Sequence, residues 1–170
     1  MKLFIKILFL IIILLSFYYF LPSKALNNNT KIEKILVLKS ERKLFLLNNN
    51  KIIKSYKISL GFNPKGAKHF EGDGKTPEGL YYIIDKNPKS NYFLNLGISY
   101  PSIKDINYAK FHKKKPGGDI KIHGFKNGFG FIGKFHRFFD WTEGCIALTN
   151  SEIQELYNNV EIGTPIEIKK

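Results

Sequence analysis

The sequence predicts a mostly β fold with few and short helices. Runs of β-branched and aromatic residues alternate with polar turns over residues 32–61, 80–86 and 92–101, a spacing typical of short strands. Beyond the N-terminus, only residues 149–160 have a clear helix signature. With 44% hydrophobic and 15% aromatic residues among 170, the chain can form the core of one domain.

The first 25 residues are predicted to be a targeting or anchoring segment. Two lysines precede an uncharged run over residues 7–21, and Ser23 and Ala25 have the small-residue spacing that a signal peptidase prefers, which predicts cleavage after Ala25. A retained membrane anchor is the alternative, because residues 3–21 approach the roughly 20 residues that a membrane helix needs. Since the positive charge precedes the apolar run, both readings export the rest of the chain to the periplasm or cell envelope, anchored to the inner membrane in the second case.

A polar linker over residues 26–31 precedes three predicted strands over residues 32–61. A charged turn at 40–42 and a polar turn at 48–50 separate these strands, which favours a β-meander. Residues 62–79 form a long loop rich in Gly, Pro and Lys, and loops of this length inside a compact domain are usually functional.

Two more strands are predicted at residues 80–86 and between Tyr92 and Pro101. Residues 106–115 are predicted to form a short helix or an exposed loop. A short strand at residues 119–122 then ends directly before a histidine.

The last third of the chain contains one long loop and one helix. Residues 125–141 are aromatic and punctuated by glycines without a clean period, which indicates a shaped loop with one helical turn. Residues 149–160 are predicted to be helical, because Thr149 and Glu152 fit the Ser/Thr-x-x-Glu capping box. A turn and a strand follow over residues 163–170.

The chain is basic, with a net charge of +13. The first 25 residues contribute three lysines and no acidic residue, so the remainder keeps +10. A basic exported domain is attracted to anionic membranes, wall polymers or acidic peptides, although Lys, Asn and Ile are abundant throughout and the charge is equally compatible with biased composition. No basic stripe interleaved with aromatic residues indicates nucleic acid as a partner.

The only cysteine, Cys145, lies in WTEGCIALTN, residues 141–150. An exported domain resides where disulfides form, yet one cysteine cannot form an internal bridge. The thiol is therefore either buried and inert or retained for chemistry. Backbone N–H groups around Glu143, Gly144 and Cys145 could lower the thiol pKa and form an oxyanion hole for acyl transfer.

Four histidines are candidates for the base that would activate this thiol. His123 lies at a strand end, 22 residues before the cysteine, and His136 is nearer, beside Arg137. His69 and His112 lie in the long loop and in a lysine-rich stretch. The chemistry alone leaves the base open between His123 and His136, and the scattered histidines without an HExxH motif predict no metal site.

The segments IHG, residues 122–124, and TEGCIALTN, residues 142–150, resemble the L,D-transpeptidase catalytic domain, also called the YkuD domain. In that family a His-Gly pair is followed by Ser/Thr-x-Gly-Cys, and the TxGCIA form here is similar to a proteobacterial subgroup. Further segments agree in order: SLGFNPKGAK at 59–68, GDGKTPEGLYYI at 72–83, ISYPS at 98–102 and GTPIEI near the end. The resemblance covers about residues 32–168. It implies a catalytic domain over residues 32–170 that folds as a β-sandwich or partly open barrel with one or two short helices.

Carried over by position, the resemblance makes Cys145 the nucleophile and His123, rather than His136, the general base. The carbonyl of Gly124 would orient the imidazole. The turn that presents the thiol, and that would hold the oxyanion and contact substrate, comprises Thr142, Glu143 and Gly144.

Two positions depart from the commoner family pattern. Many members have histidine at the position of Glu143 and arginine at that of Ala147. Arg137 and Lys134 are therefore candidate substitutes for the missing arginine, and Arg137 and His136 are candidate substrate-binding residues.

The resemblance implies a peptidoglycan enzyme that acts in wall biogenesis and cell shape without a cofactor or metal. A tetrapeptide stem would form a thioester with the cysteine, and an amine of a second stem would resolve it to give a 3–3 cross-link. A lipoprotein lysine is an alternative acceptor, and water would make the protein an L,D-carboxypeptidase or hydrolase. A non-catalytic wall-binding domain is the alternative outside enzymes.

Overall fold

A computed structural model describes residues 1–22, 24–27 and 30–170. Ser23, on which the predicted cleavage site depends, and linker residues 28–29 lie outside the described residues. The predicted boundaries between targeting segment, linker and catalytic domain stay predictions.

Eight strands form one mixed sheet, which confirms the mostly β prediction. In chain order they are β1 Lys34–Leu38, β2 Lys43–Asn48, β3 Lys51–Lys57, β4 Gly79–Ser90, β5 Phe93–Ile98, β6 Lys121–His123, β7 Ile146–Ala147 and β8 Pro165–Lys169. Their order in the sheet is β3-β2-β1-β8-β4-β5-β6-β7. The pairs β1–β8 and β6–β7 are parallel, and the other neighbours are antiparallel.

In the adjacent strands β2, β1 and β8, buried side chains alternate with less buried ones. Ile35 in β1 lies opposite Leu46 in β2 and Ile166 in β8, and all three are fully buried. Because successive side chains of a strand point to opposite faces, such rows place one face of the sheet on the core. The meander predicted over residues 32–61 is β1, β2 and β3.

Three helices accompany the sheet: α1 Lys2–Phe20, α2 Ile103–Phe111 and α3 Asn150–Asn159. Helix α3 begins with the predicted capping box, in which Thr149 accepts from the N–H of Glu152 and the Glu152 carboxylate accepts from the N–H of Thr149. Its buried Ile153 and Leu156 belong to the core beside the sheet. Of the stretch 106–115 predicted as a short helix or exposed loop, residues 106–111 belong to α2 and the remaining residues lie beyond its end and are exposed.

Helix α1 is the one helix of the described ranges that is long and apolar enough to cross a membrane, by length and composition. None of its residues is buried against the domain. A signal sequence would meet the same criteria, so the signal peptide and the anchor both stay predictions.

The aromatic segment, residues 129–139, contains two 3₁₀ turns within Gly130–Phe138 that meet at Gly133. The predicted shaped loop with one helical turn is thus correct in kind, and the helical part is longer than expected. His136 is the buried residue of these turns and fixes the segment to the domain.

Two isolated bridges bring the ends of the sheet together. Ser59 pairs with Ala147 and Gly61 pairs with Thr142. The N–H of Ser59 donates to the carbonyl of Ala147 at 3.1 Å, and the N–H of Ala147 donates to the carbonyl of Ser59 at 2.9 Å. The N–H of Thr142 donates to the carbonyl of Leu60 at 3.1 Å. The chain that follows β3 therefore holds both sides of the turn that carries Cys145, and the barrel stays partly open because these bridges form no continuous ladder.

A buried lysine fixes the long loop, residues 62–79, to this framework. Lys39 is 2% exposed, and its Nζ donates to the carbonyls of Gly66 at 2.6 Å and Thr76 at 2.8 Å. It also donates to the Glu78 carboxylate at 2.9 Å. Burial lowers the pKa of Lys39 although Glu78 opposes the shift, so the ammonium depends on these oxygens for its solvation.

Replacing this lysine should destabilise the domain more than replacing a surface lysine. We expect Lys39→Ala to lower the free energy of unfolding by about 3 kcal/mol, because three oxygens lose a charged donor. Lys43→Ala, which removes a surface pair with Glu41, is the control and should cost less than about 1 kcal/mol. Urea unfolding of both full chains in detergent, followed by Trp141 fluorescence, measures the difference, and equal losses would contradict a clamping role.

Candidate active site

The turn that carries the thiol is held by hydrogen bonds to a buried threonine. The hydroxyl of Thr142 donates to the carbonyl of Cys145 at 2.7 Å and accepts from the N–H of Gly144 at 3.2 Å. Thr142 is itself bridged to Gly61, and Ala147 to Ser59. Cys145, which is half-buried, thus lies between Thr142 and Ala147, two residues five positions apart whose backbones are both fixed by these bridges.

Gly144 is required by both its backbone angle and its surroundings. Its φ is 134°, and a Cβ at this position would lie 2.5 Å from the carbonyl oxygen of Lys75. Gly61 is equally close to the same loop, since its Cβ would lie 2.2 Å from the carbonyl oxygen of Gly74. A side chain at either position would push the long loop away from the thiol turn, because real Cβ atoms do not approach backbone so closely.

His123 ends β6 with a fixed tautomer. Its Nδ1 lies 2.6 Å from the carbonyl oxygen of Gly124. A carbonyl only accepts, so Nδ1 carries the proton and Nε2 is the basic nitrogen. The ring is flanked by Tyr92, with centroids 4.8 Å apart, and by the edge of Trp141 at 5.7 Å.

Burial sets the charge of both reactive groups. It lowers the pKa of His123 from its ordinary 6.5, which the hydrogen bond to Gly124 opposes and the charge of Lys121 reinforces. It also raises the pKa of the Cys145 thiol from 9.0, and the carboxylate of Asp119 adds to this while the N–H and ammonium of Lys121 oppose it. The lowering that we expected from the N–H groups of the turn is outweighed, and at neutral pH the site holds a thiol and a neutral imidazole.

Cys145 and His123 line the same cleft, which has a volume of about 870 Å³. Charged side chains of both signs face it: Lys68, Lys89, Lys121, Glu71, Asp119 and Glu143. Lys68 pairs with Asp73 at 3.0 Å, and Lys121 pairs with Asp119 at 2.7 Å. Within the described ranges, Lys89 is the cleft cation that forms no ion pair.

The N–H groups of the turn differ in their availability. That of Gly144 is used by Thr142 at 3.2 Å, whereas those of Glu143 and Cys145 donate to no acceptor in the described part of the chain. Free donors beside the sulfur are what an oxyanion hole needs. Glu143 is exposed and lines the cleft, as does Thr142.

Asn95 is a cleft residue that sequence reasoning missed. It lies opposite His123 in the β5–β6 register and is 3% exposed. Its Oδ1 is buried and has no hydrogen-bond partner among the described residues, although the side chain lines the cleft. The available signal was an amide within the otherwise apolar run FLNLGI.

The structure places His136 and Arg137 outside the lining of the cleft. His136 Nδ1 lies 2.9 Å from the hydroxyl of Ser59, and burial together with the charges of Arg137 and His123 lowers its pKa to about 4. Arg137 donates to Glu152 at 2.5 Å and is mostly buried. The substrate contacts predicted for these two residues stay predictions. In the structure His136 is bonded to Ser59 and Arg137 to Glu152.

Ala147, where many similar sequences have arginine, is fully buried in β7. Lys134, another predicted substitute, donates instead to the carbonyl of Leu21, the residue that follows helix α1. Neither residue lines the cleft.

Residues 33–168 match the family model described as the L,D-transpeptidase catalytic domain. Over 133 residues the chain is 29% identical to YafK of Escherichia coli K12, a candidate L,D-transpeptidase, and the match covers 74% of this chain and 46% of YafK. The solved structure of the helical cell shape determining protein Pgp2 from Campylobacter jejuni is 26% identical with a TM-score of 0.61 and covers 84% of this chain and 49% of Pgp2. The chain thus spans about half the length of both.

A more distant structure supports the fold alone. The L,D-transpeptidase from Xylanimonas cellulosilytica is 12% identical with a TM-score of 0.52, covering 86% of this chain and 65% of that one. An L,D-transpeptidase fold, mostly β with an open sheet, is therefore confirmed for this chain.

The uncharged state of the Cys145 thiol and the His123 imidazole can be tested by the pH dependence of Cys145 alkylation. Because burial raises the thiol pKa from 9.0, the iodoacetamide rate should be low near neutral pH, rise with pH as the thiolate fraction grows, and level off only above that raised value. A thiolate–imidazolium pair would instead react readily at about pH 6, below the ordinary thiol pKa. The rate is measured by intact-mass spectrometry across pH.

His123→Ala is the control for this profile. With a neutral pair, the variant and the native chain should be equally unreactive near pH 6. A native rate that is high at this pH and falls in His123→Ala would contradict the neutral pair.

Proposed function

The chain belongs to the L,D-transpeptidase catalytic domain family, and on this premise we propose that it catalyses acyl transfer on peptidoglycan stem peptides through Cys145. The observation that carries the proposal is one cleft lined by both a half-buried thiol and a histidine whose tautomer leaves Nε2 unprotonated. This is the pairing that an activated cysteine nucleophile requires.

In the first step, His123 Nε2 takes the thiol proton as sulfur attacks the carbonyl at the L-centre of the third stem residue. The N–H groups of Cys145 and Glu143 are free to hold the oxyanion that develops. The C–N bond to the terminal D-residue breaks, its amine leaves with the proton from His123, and a thioester remains. The low pKa of His123 keeps it able to accept at neutral pH.

In the second step, the amine of another stem attacks the thioester. A proton passes from this amine to His123 and then to the sulfur, which restores the thiol and leaves a 3–3 cross-link. Exposed Glu143 and Glu71 offer carboxylates to the acceptor amine, and Lys89 offers a cation to a stem carboxylate. A lipoprotein lysine would follow the same route.

Water at the second step would give an L,D-carboxypeptidase. The similarity to Pgp2, named as a helical cell shape determining protein, favours a role in shaping the wall. Both cross-linking and stem trimming change wall geometry, and both use the same thioester, so the products must separate them.

We propose that Asn95 positions the donor stem beside His123. Its side chain lines the cleft and its buried Oδ1 has no partner among the described residues, which is costly unless an N–H donor reaches it. A backbone N–H of an extended stem supplies that donor.

The roles of Cys145 and His123 are tested with sacculi rich in tetrapeptide stems. Cys145→Ser and His123→Ala should each lose at least about 10³-fold in activity, because nucleophile and base act as a unit. His112→Ala is the matched control, since this histidine is exposed and outside the cleft, and it should keep native activity.

Muropeptide analysis of the native chain identifies the reaction. Dimers linked 3–3 support transpeptidation, and tripeptides alone identify the carboxypeptidase. Unchanged sacculi, together with a Cys145 that gives no adduct with a carbapenem, would identify a non-catalytic wall-binding domain.

Asn95→Ala should lower kcat/KM about tenfold, which corresponds to one hydrogen bond with a buried amide. The loss should appear mainly in KM, because the contact is made with bound donor as well as in the transition state. Asn95→Ala with native kinetics would remove Asn95 from the proposal, and thermal unfolding of the variant checks that the β5–β6 pairing persists.

A further inference from the structure

The aromatic segment exposes four large side chains to solvent. Phe129, Phe131, Phe138 and Phe139 are between 49% and 72% exposed within eleven consecutive residues. Isolated exposed phenylalanines are ordinary, but a concentration of this kind marks an interaction surface. The segment is not loosely attached, because His136 on its inner side is buried and bonded to Ser59.

The carboxyl end of helix α1 lies on this segment. The Tyr19 hydroxyl donates to the carbonyl of Phe131 at 2.8 Å. Its ring packs at 5.4 Å from that of Phe135, and the ring of Tyr18 packs at 6.0 Å from that of Phe138. The ammonium of Lys134 donates to the carbonyl of Leu21, where a cation also complements the negative end of the helix.

Helix α1 itself indicates the occupant of the surface. It is 19 residues long with a mean hydropathy of 2.5, and none of its residues is buried in the protein. A helix of this kind is stable in hydrocarbon rather than in water. Its last turn, with two tyrosines and a phenylalanine, has the composition found where membrane helices meet the headgroups.

We propose that the exposed phenylalanines of the aromatic segment insert into the surface of the same bilayer that α1 spans. Because the end of α1 packs on the segment, the segment lies at the level where α1 leaves the membrane. Exposed Lys126, three residues before the segment, adds a cation for anionic headgroups, which together with apolar rings is the pattern of an interfacial segment.

This docking has a consequence for the cleft. The aromatic segment connects the Gly124 side of His123 to Trp141 and the thiol turn. If the aromatic segment binds lipid, the cleft is held at a fixed distance from the membrane. Without this contact, the domain would be connected to the membrane only through the linker after α1.

The test uses the full chain with Cys145→Ser, so that one new cysteine can carry a fluorescent nitrobenzoxadiazole label. Labels at Phe131→Cys and Phe138→Cys are compared in phosphatidylethanolamine–phosphatidylglycerol vesicles. Phe111→Cys is the matched control, because this phenylalanine is also highly exposed but lies at the end of α2. Circular dichroism checks that each labelled chain is folded.

Labels at 131 and 138 should emit at shorter wavelength than the label at 111. Doxyl groups placed near the lipid headgroups should quench them several-fold more strongly. Equal quenching at all three positions would overturn the proposal. A blue shift that depends on protein density but not on lipid quencher would identify a second copy of the chain as the occupant instead.

Processing in cells is the second measurement. Recovery of an intact N-terminus in the membrane fraction supports the proposal, and a soluble chain beginning after Ala25 overturns it. Neither readout involves catalysis, so failure here is distinct from failure of the proposed acyl transfer.

Discussion

The backbone pairing between residues 59–61 and 142–147 is the constraint on which the rest of the site depends. It connects the end of the meander to both sides of the thiol turn, although the two stretches are more than 80 residues apart in the chain. Ser59 contributes twice, through its backbone to Ala147 and through its hydroxyl to His136. The aromatic segment, the sheet edge and the thiol turn are therefore all attached to residues 59–61. A shift of these residues would displace all three.

The cleft keeps its reactive groups uncharged by surrounding them with protein rather than by pairing them. The rings of Tyr92 and Trp141 occupy the space beside His123 from which water would otherwise stabilise an imidazolium. In such surroundings a thiolate–imidazolium ion pair costs more free energy than two neutral groups. Charged side chains line the same cleft, and those of Asp119 and Lys121 act on the thiol pKa in opposite directions.

The elements that a local pattern determines could be predicted from the sequence. The three strands of the meander, the capping box of α3 and the Gly-Cys turn each depend on residues within a few positions of one another. Strand β7 escaped prediction because two residues cannot show a period, and it exists only through pairing with β6 and Ser59. The partner of Arg137 and the orientation of Asn95 likewise depend on contacts between distant segments. Ala147 occupies the position at which many similar sequences have arginine, yet in this chain the position is fully buried in strand β7.

The glycine contacts of the thiol turn also bear on how such a site can evolve. Gly144 and Gly61 leave no room for a methyl group against the long loop, and Thr142 is committed to two hydrogen bonds. Glu143 lines the cleft and is exposed, whereas its turn neighbours Thr142 and Gly144 are buried. A different side chain there would meet solvent rather than the backbone that holds Cys145 in place. The turn thus places one position that can accept other side chains between neighbours that cannot, so that sequence change at this site is confined to a single exposed residue.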